Sequence, residues 1–213
     1  MQSLFRKQSF IEEIDYNFLM NILKTYHFPR NKIKSMIEKK EIIKIKKGIY
    51  IFGENLSLEP YSLETLANLI YGPSYISLEY ALSFYGMIPE KVNTITSVTN
   101  KRNKLFKTEV GNFSYRYINS KIYSQGITLI KIDENHQVLI ASREKALIDI
   151  LYFNKKNMNE NEMREYILQN LRIDPSEFLK LNLENLKKLE DIYGKYVFGI
   201  TKFIEEELEL INE

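Results

Sequence analysis

Eight basic residues fall between positions 30 and 47 (Arg30, Lys32, Lys34, Lys39, Lys40, Lys44, Lys46 and Lys47), against only Glu38 and Glu41. Charge of this density either forms an ordinary solvated face or meets a polyanion, and the structure that carries it decides which. Residue types that perform catalysis are thin elsewhere. The absence of cysteine removes thiolate nucleophiles, thiolate metal sites and disulfides. Two histidines, His27 and His136, leave little for a His-rich metal site or a Ser–His pair. His27 reads as a turn or phosphate-adjacent residue, and His136, after Asp133-Glu134-Asn135, as an exposed loop residue. The eight glycines are isolated, so no phosphate-cradling loop forms, and neither HExxH nor G-x-S-x-G occurs. No Gly-Ser element precedes spaced aspartates, as nucleotidyl transfer would require. Glu144-Lys145 and Asp149 could serve a nuclease as acid and lysine. Without a strand-borne acidic pair they read instead as a charge cluster favoured by a helix N-terminus. The expectation is a protein without enzymatic activity, metal or cofactor.

The elements around the basic cluster come in a tight series. A weakly periodic segment, about Leu4 to Ile14, is read as a first helix. Asp15 is an N-cap for a second, with Phe18, Leu19, Ile22 and Leu23 on one face. After the break at Thr25-Tyr26-His27, Pro29 opens a third helix that runs to about Lys39. Ile33, Met36 and Ile37 point inward. The opposite face carries Asn31, Ser35 and Glu38, flanked by Lys32, Lys34 and Lys39. Ile42–Lys46 and Ile49–Phe52 then form a hairpin about the Lys47-Gly48 turn. Residues 1–53 thus predict a winged helix-turn-helix DNA-binding domain. Its third helix would bring Asn31 and Ser35 to base edges in the major groove. Lys32, Lys34 and Lys39 would lie over flanking phosphates, and Lys44, Lys46 and Lys47 on the hairpin against an adjacent backbone or the minor groove. Glu38 is discordant: it either accepts from a cytosine amino group or repels phosphate.

The rest of the 213 residues is ordinary in composition, 44% hydrophobic and 27% charged. No window approaches the roughly 18–20 apolar residues of a membrane span, and the start of the chain lacks the apolar run of a secretory signal. A cytoplasmic protein with no membrane partner is expected. The net charge of +2 conceals a gradient, with 11 Lys/Arg against 5 Asp/Glu over residues 1–50 and 9 against 13 over residues 154–213. Gly53–Pro60 reads as a polar junction. Residues 60–213 predict a mixed α/β domain, giving an α+β fold overall. Ser62 caps a helix through Leu63, Leu66, Ala67 and Ile70, and Ser77 begins one through Leu78, Ala81, Leu82 and Tyr85, stopped by Gly86. Strands are expected over residues 94–99, 105–108, 113–118, 127–130 and 138–140, in antiparallel pairs. Helices follow at about Ser142–Phe153, Glu160–Leu171, Ser176–Gly194 and Ile200–Leu210. Glu205-Glu206-Glu207 reads as a solvated helical face.

The stretch from Gly72 to Glu90, GPSYISLEYALSFYGMIPE, resembles a signature of the AbiEi-type antitoxins. Ile95–Thr99, the run Glu144-Lys145-Ala146-Leu147-Ile148-Asp149 and the segment Ile43–Tyr50 are similar to the same family, so the resemblance covers roughly residues 5–155. It implies a type IV toxin–antitoxin system associated with abortive infection and phage defence. The antitoxin's winged helix would bind operator inverted repeats upstream of its own operon and repress transcription. The larger domain would counteract a nucleotidyltransferase-like toxin without forming a stable complex. Carried onto this chain, the DNA contacts are Arg30, Asn31, Lys32, Lys34 and Ser35 on the third helix, with Lys44, Lys46 and Lys47 on the wing. Glu79 and Glu90 are the candidates for antitoxicity. Two alternatives stay open. One is a winged-helix regulator whose second domain senses or dimerises; the other is a DNA-targeted nuclease using Glu144 and Asp149.

Overall fold

Two hydrophobic cores organise the residues described by the computed structural model, namely 8–9, 11–154 and 158–212. The smaller core is built from the N-terminal elements. Strand β1 (Glu13–Asp15) runs into helix α1 (Tyr16–Ile22), because the Asp15 carboxylate accepts the Phe18 N–H at 2.7 Å. Helix α2 (Pro29–Glu38) starts with proline in its first turn and buries Ile33 and Met36. Strands β2 (Ile42–Lys46) and β3 (Ile49–Phe52) follow as the expected hairpin, with Gly48 supplying a φ of 91°. The sheet order is β1-β3-β2, antiparallel throughout. The expected first helix over Leu4–Ile14 is corrected at its end, where Glu13 and Ile14 pair with β3; Leu4–Lys7 and Phe10 lie outside the described residues.

This small sheet is covered on both faces. Ile42, Tyr50 and Phe52 point into the core shared with α1 and α2, whereas Ile45 and Ile51 join the large core. Alternation along the strands sends successive residues to opposite sides, so two-sided burial explains a β2 that is apolar on both. The polar junction after β3 is also fixed. The Glu12 carboxylate accepts the N–H groups of Leu58 and Glu59 at 3.1 and 3.0 Å. Gly53 is obligatory there, since a Cβ would lie 1.9 Å from the Lys40 carbonyl oxygen.

The large core lies around a six-stranded sheet of order β6-β7-β5-β4-β9-β8. Its strands are β4 (Ser74–Ile76), β5 (Thr94–Thr99), β6 (Lys104–Thr108), β7 (Gly111–Tyr117), β8 (Ile127–Lys131) and β9 (Gln137–Ala141). The expected antiparallel pairing holds for β6/β7 and β8/β9; β4, which the expected strands do not include, pairs antiparallel with β5, and β5/β7 and β4/β9 are parallel, so this sheet is mixed. Strand β4 is short and wholly buried, without the alternation that would mark it in the sequence. One face is covered by α3 (Leu63–Ile70), whose Ala67 carbonyl accepts the Tyr115 hydroxyl at 2.6 Å. The other is covered by α4 (Leu78–Phe84) and, after the short α5 (Ser120–Tyr123), by α6 (Arg143–Phe153). Helix α7 (Glu160–Glu165) passes into a π-helical turn over Tyr166–Asn170.

The expected single helix over Ser176–Gly194 is interrupted. A 3-10 segment, Pro175–Lys180, ends before Asn182, which caps α8 (Leu183–Tyr193) through the Asn185 N–H at 2.9 Å. Helix α9 (Ile200–Asn212) closes the described chain, and its first turn is capped by the Glu190 carboxylate at the N–H groups of Gly199 and Thr201. The expected solvated Glu205-Glu206-Glu207 face is corrected at Glu207, which is buried and bonded by Arg164 at 3.0 Å. Among the described residues no helix is long and apolar enough to cross a membrane.

Candidate nucleic-acid interface

Helix α2 presents its polar face outward because Ile33 and Met36 hold the opposite face in the small core. Arg30, Asn31, Lys34 and Lys39 are exposed along it, and Lys32 and Ser35 are half-buried at its flanks. The Arg30 Nε donates to the Tyr16 hydroxyl at 3.3 Å, which fixes the guanidinium beside the start of α1. Glu38 faces Lys34 across one turn at 3.8 Å, with both side chains open to solvent. The N-cap position is Phe28, whose side chain makes no capping hydrogen bond. Phe28, Arg30 and Asn31 are all exposed, so the positive end of the helix dipole lies at the surface beside Arg30 and Asn31.

On the hairpin, Lys44 and Lys47 are exposed. Lys46 is set apart from them. It is half-buried, and its ammonium donates to the Ile70 carbonyl at the C-terminal end of α3. Burial lowers its pKa, and the nearby Lys101 charge lowers it further. Eight of the nine residues expected to meet DNA thus lie on α2 and the exposed part of the hairpin, and Lys46 ties that hairpin to the body. Lys40, at a φ of 53° in the turn after α2, adds an exposed cation that the helical reading passed over. The alternating pattern of β2 does not mark Lys46 as different, because its partner is 24 residues away.

The residues considered for catalysis have another setting. Glu144, Lys145 and Asp149 read in the sequence as a charge cluster at a helix N-terminus; all three are buried, with Lys145 and Asp149 wholly so. The Lys145 ammonium lies 3.2 Å from the Asp149 carboxylate, also reaches the Tyr193 hydroxyl and the Ile122 carbonyl, and stands over the rings of Tyr75 and Tyr193. Asp149 accepts from Tyr75 at 3.0 Å, from Ser77 at 2.7 Å and from Tyr193. Burial pushes the Lys145 pKa down and the carboxylate partly restores it, while burial next to Asp149 pushes the Tyr75 and Tyr193 hydroxyls up. Glu144 bonds the Ser142 hydroxyl and the Asn182 N–H. This is a hydrogen-bonded hub joining β4, α6 and α8, with no surface on Lys145 or Asp149 for a substrate to touch. Of the two surface acids singled out in the central motif, Glu90 is exposed and bonded by Arg172 at 2.9 Å, and Glu79 is half-buried.

His136 is not the exposed loop residue expected. It is 4% exposed, and its ring bridges Asp133 at 2.7 Å and the buried Glu13 of β1 at 3.0 Å. Glu13 also accepts the Ser62 N–H at 2.5 Å, so one carboxylate joins the N-terminal sheet to two parts of the body. Burial opposes protonation of the ring, but the two carboxylates outweigh it and raise the His136 pKa above 6.5. A raised folded-state pKa stabilises the fold fully below the unfolded value and loses that contribution as pH rises through the folded value. Thermal unfolding is therefore expected to show a Tm that declines as pH rises from 6.5. His136→Gln is expected to flatten that stretch of the curve; an unchanged decline in the variant would assign it to another group.

The body adds basic residues that the strand reading left unassigned. Lys101, Arg102, Lys104 and Lys107 are all exposed, and no acid falls between them. Four cations in seven residues are visible in the sequence, but the hydrogen bond that Lys101 donates to the Gly72 carbonyl, near Lys46, is not. The geometry as a whole offers an electropositive helix and hairpin able to bind a polyanion. No family model and no curated protein matches this chain.

Proposed function

We propose that the N-terminal elements act as a winged helix-turn-helix and that the chain is a DNA-binding transcriptional repressor. The observation carrying this reading is the outward face of α2, where Arg30, Asn31, Lys34 and Lys39 stand exposed beside an N-terminus with no side-chain cap. Helix N-termini and lysines both favour phosphate, while a short amide such as Asn31 can pair with an adenine edge. Arg30, Lys32, Lys34, Lys39, Lys44 and Lys47 supply affinity, and Asn31 and Ser35 supply sequence choice. Lys46 acts through the hairpin's attachment to α3. The Lys34–Glu38 pair is loose and solvated, so Glu38 costs phosphate binding little.

The body takes the antitoxin role on the resemblance of Gly72–Glu90 and Glu144–Asp149 to AbiEi-type antitoxins. In this reading the protein represses its own operon through inverted repeats and counteracts a nucleotidyltransferase-like toxin, as a cytoplasmic type IV antitoxin without cofactor. The burial of Lys145 and Asp149 supports a structural role for the second of these motifs over a nuclease centre.

The test is a mobility shift on the chain's own upstream DNA and on a scrambled duplex, with Asn31→Ala beside the wild type. Wild type is expected to prefer its upstream DNA. Asn31→Ala is expected to lose about 1–3 kcal/mol on that DNA and little on the scrambled duplex. Equal losses on both would remove base reading by Asn31, and no shift by the wild type at low salt would overturn the proposal.

A further inference from the structure

Phe28 stands directly before α2, and its side chain is 73% exposed; among the described residues no large apolar side chain is more so. It takes no part in either core. Its carbonyl accepts the Lys32 N–H at 3.1 Å, so residue 28 begins the helical series. At about 100° per residue, positions 28, 31, 35 and 39 fall within about 80° of one another. Phe28 therefore belongs to the side of α2 that carries the exposed Asn31 and Lys39 and the half-buried Ser35. No acid occurs between Asp15 and Glu38, and Arg30, Lys32 and Lys34 follow the ring directly.

Single exposed apolar side chains are common and by themselves need no explanation. The position of this one is what sets it apart. An N-cap favours Ser, Thr, Asp or Asn, whose side-chain oxygen satisfies an N–H of the first turn. Phenylalanine has no such oxygen, and α2 starts without a side-chain cap. The chain forgoes the cap at Phe28 and gains no burial in exchange. A local rule broken without a compensating contact marks a place where function sets the residue. The surrounding cations favour a polyanion, and the ring calls for an apolar group within it. The base edges of the major groove present one such group, the 5-methyl of thymine.

We propose that Phe28 is a specificity-determining residue that packs on a thymine methyl group in the major groove, one turn ahead of Asn31. The inference rests on the DNA-binding reading above and deepens it: recognition combines an apolar contact from the residue before α2 with the polar contacts of Asn31 and Ser35.

The experiment uses the full chain and its own upstream DNA, with each thymine of the shifted duplex replaced singly by uracil. Uracil lacks the methyl and keeps every hydrogen-bonding group of thymine. Wild type is expected to lose about fourfold in affinity at one thymine of each bound site, the worth of one buried methyl. Phe28→Ala is expected to bind the unmodified duplex as weakly as wild type binds that uracil duplex, and to lose nothing further on it. Phe28→Leu keeps an apolar side chain and is expected to retain most of the discrimination. Both variants are expected to keep the wild-type slope of log affinity against log salt, because an uncharged ring neutralises no phosphate. Their Tm is expected to stay at the wild-type value, since the ring is exposed. Wild-type binding that no uracil weakens would overturn methyl reading. An unchanged uracil penalty in Phe28→Ala would assign the methyl to another side chain and overturn the proposal; the ring would then be bare surface or the seat of a protein partner. Both outcomes leave DNA binding standing where wild type still prefers its upstream DNA to a scrambled duplex. A wild type without that preference at low salt would overturn the DNA-binding reading, and the role of Phe28 with it.

Discussion

Asp149→Ala is expected to lower the unfolding free energy by about 3–5 kcal/mol, the cost of leaving a buried charge without its partner. The side chain has no exposed surface and serves four neighbours, the hydroxyls of Tyr75, Ser77 and Tyr193 and the ammonium of Lys145. Truncation removes the acceptor of three buried hydroxyls and the counter-charge of Lys145, which keeps the Ile122 carbonyl and the Tyr193 hydroxyl. Lys145→Met is expected to cost less, because Asp149 keeps three hydroxyl donors and methionine fills much of the lysine's volume. Asp149→Asn retains an acceptor and is expected to fall between the two. For a chain of this length each kcal/mol moves Tm by roughly 2–4 °C, so Asp149→Ala corresponds to a fall of about 10 °C. Thermal or urea unfolding of the three variants gives the ranking. A loss below about 1 kcal/mol for Asp149→Ala, or a larger loss for Lys145→Met, would reject the carboxylate as the centre of the hub.

The second large effect concerns salt. Replacing Lys34, Lys39, Lys44 and Lys47 together by alanine is expected to reduce the slope of log affinity against log salt by about 3.6, at about 0.9 per phosphate contact. Between roughly 50 and 200 mM salt this amounts to about a hundredfold difference in how far binding weakens. All four side chains are exposed and none lies in either core, so Tm is expected to stay close to that of the wild type. The loss should be equal on operator and random DNA, because phosphate contacts carry no base information. Lys46→Ala is the internal control. Its ammonium is held by Ile70, so it is expected to leave the slope unchanged and to lower Tm slightly through loss of a partner at the end of α3. A slope lowered as much by Lys46→Ala as by Lys47→Ala would place Lys46 on the phosphates after all.

What was legible in the sequence is what is encoded within a turn or two of chain. Asp15 and Ser62 cap the helices they precede, Pro29 opens α2, and the Lys47-Gly48 pair turns the hairpin. Each of these depends on neighbours three or four residues away, so composition and spacing suffice. The outward face of α2 was legible for the same reason, since Ile33 and Met36 fix its inward face by helical period.

The tertiary structure decided what distant partners decide. Strand β4 has three buried residues and no alternation, and it exists because β5 and β9 lie on either side of it. Glu144, Lys145 and Asp149 look in the sequence like a charge cluster favoured by a helix N-terminus. Asp149 is accommodated in the core because Tyr75 and Ser77, 74 and 72 residues before it, turn their hydroxyls onto it, and Glu144 because the Asn182 N–H, 38 residues later, meets its carboxylate. His136 follows three polar residues and yet is enclosed, since Glu13, 123 residues earlier, comes to meet its ring. A polar side chain enters a core only where its hydrogen-bonding needs are met, and those partners are supplied by the fold and not by the neighbouring sequence. The same reason separates Lys46 from Lys44 and Lys47: three lysines of one hairpin carry the same charge, and the register shift between Lys44 and Lys46, together with the Ile70 carbonyl at the end of α3, sets one of them toward the body.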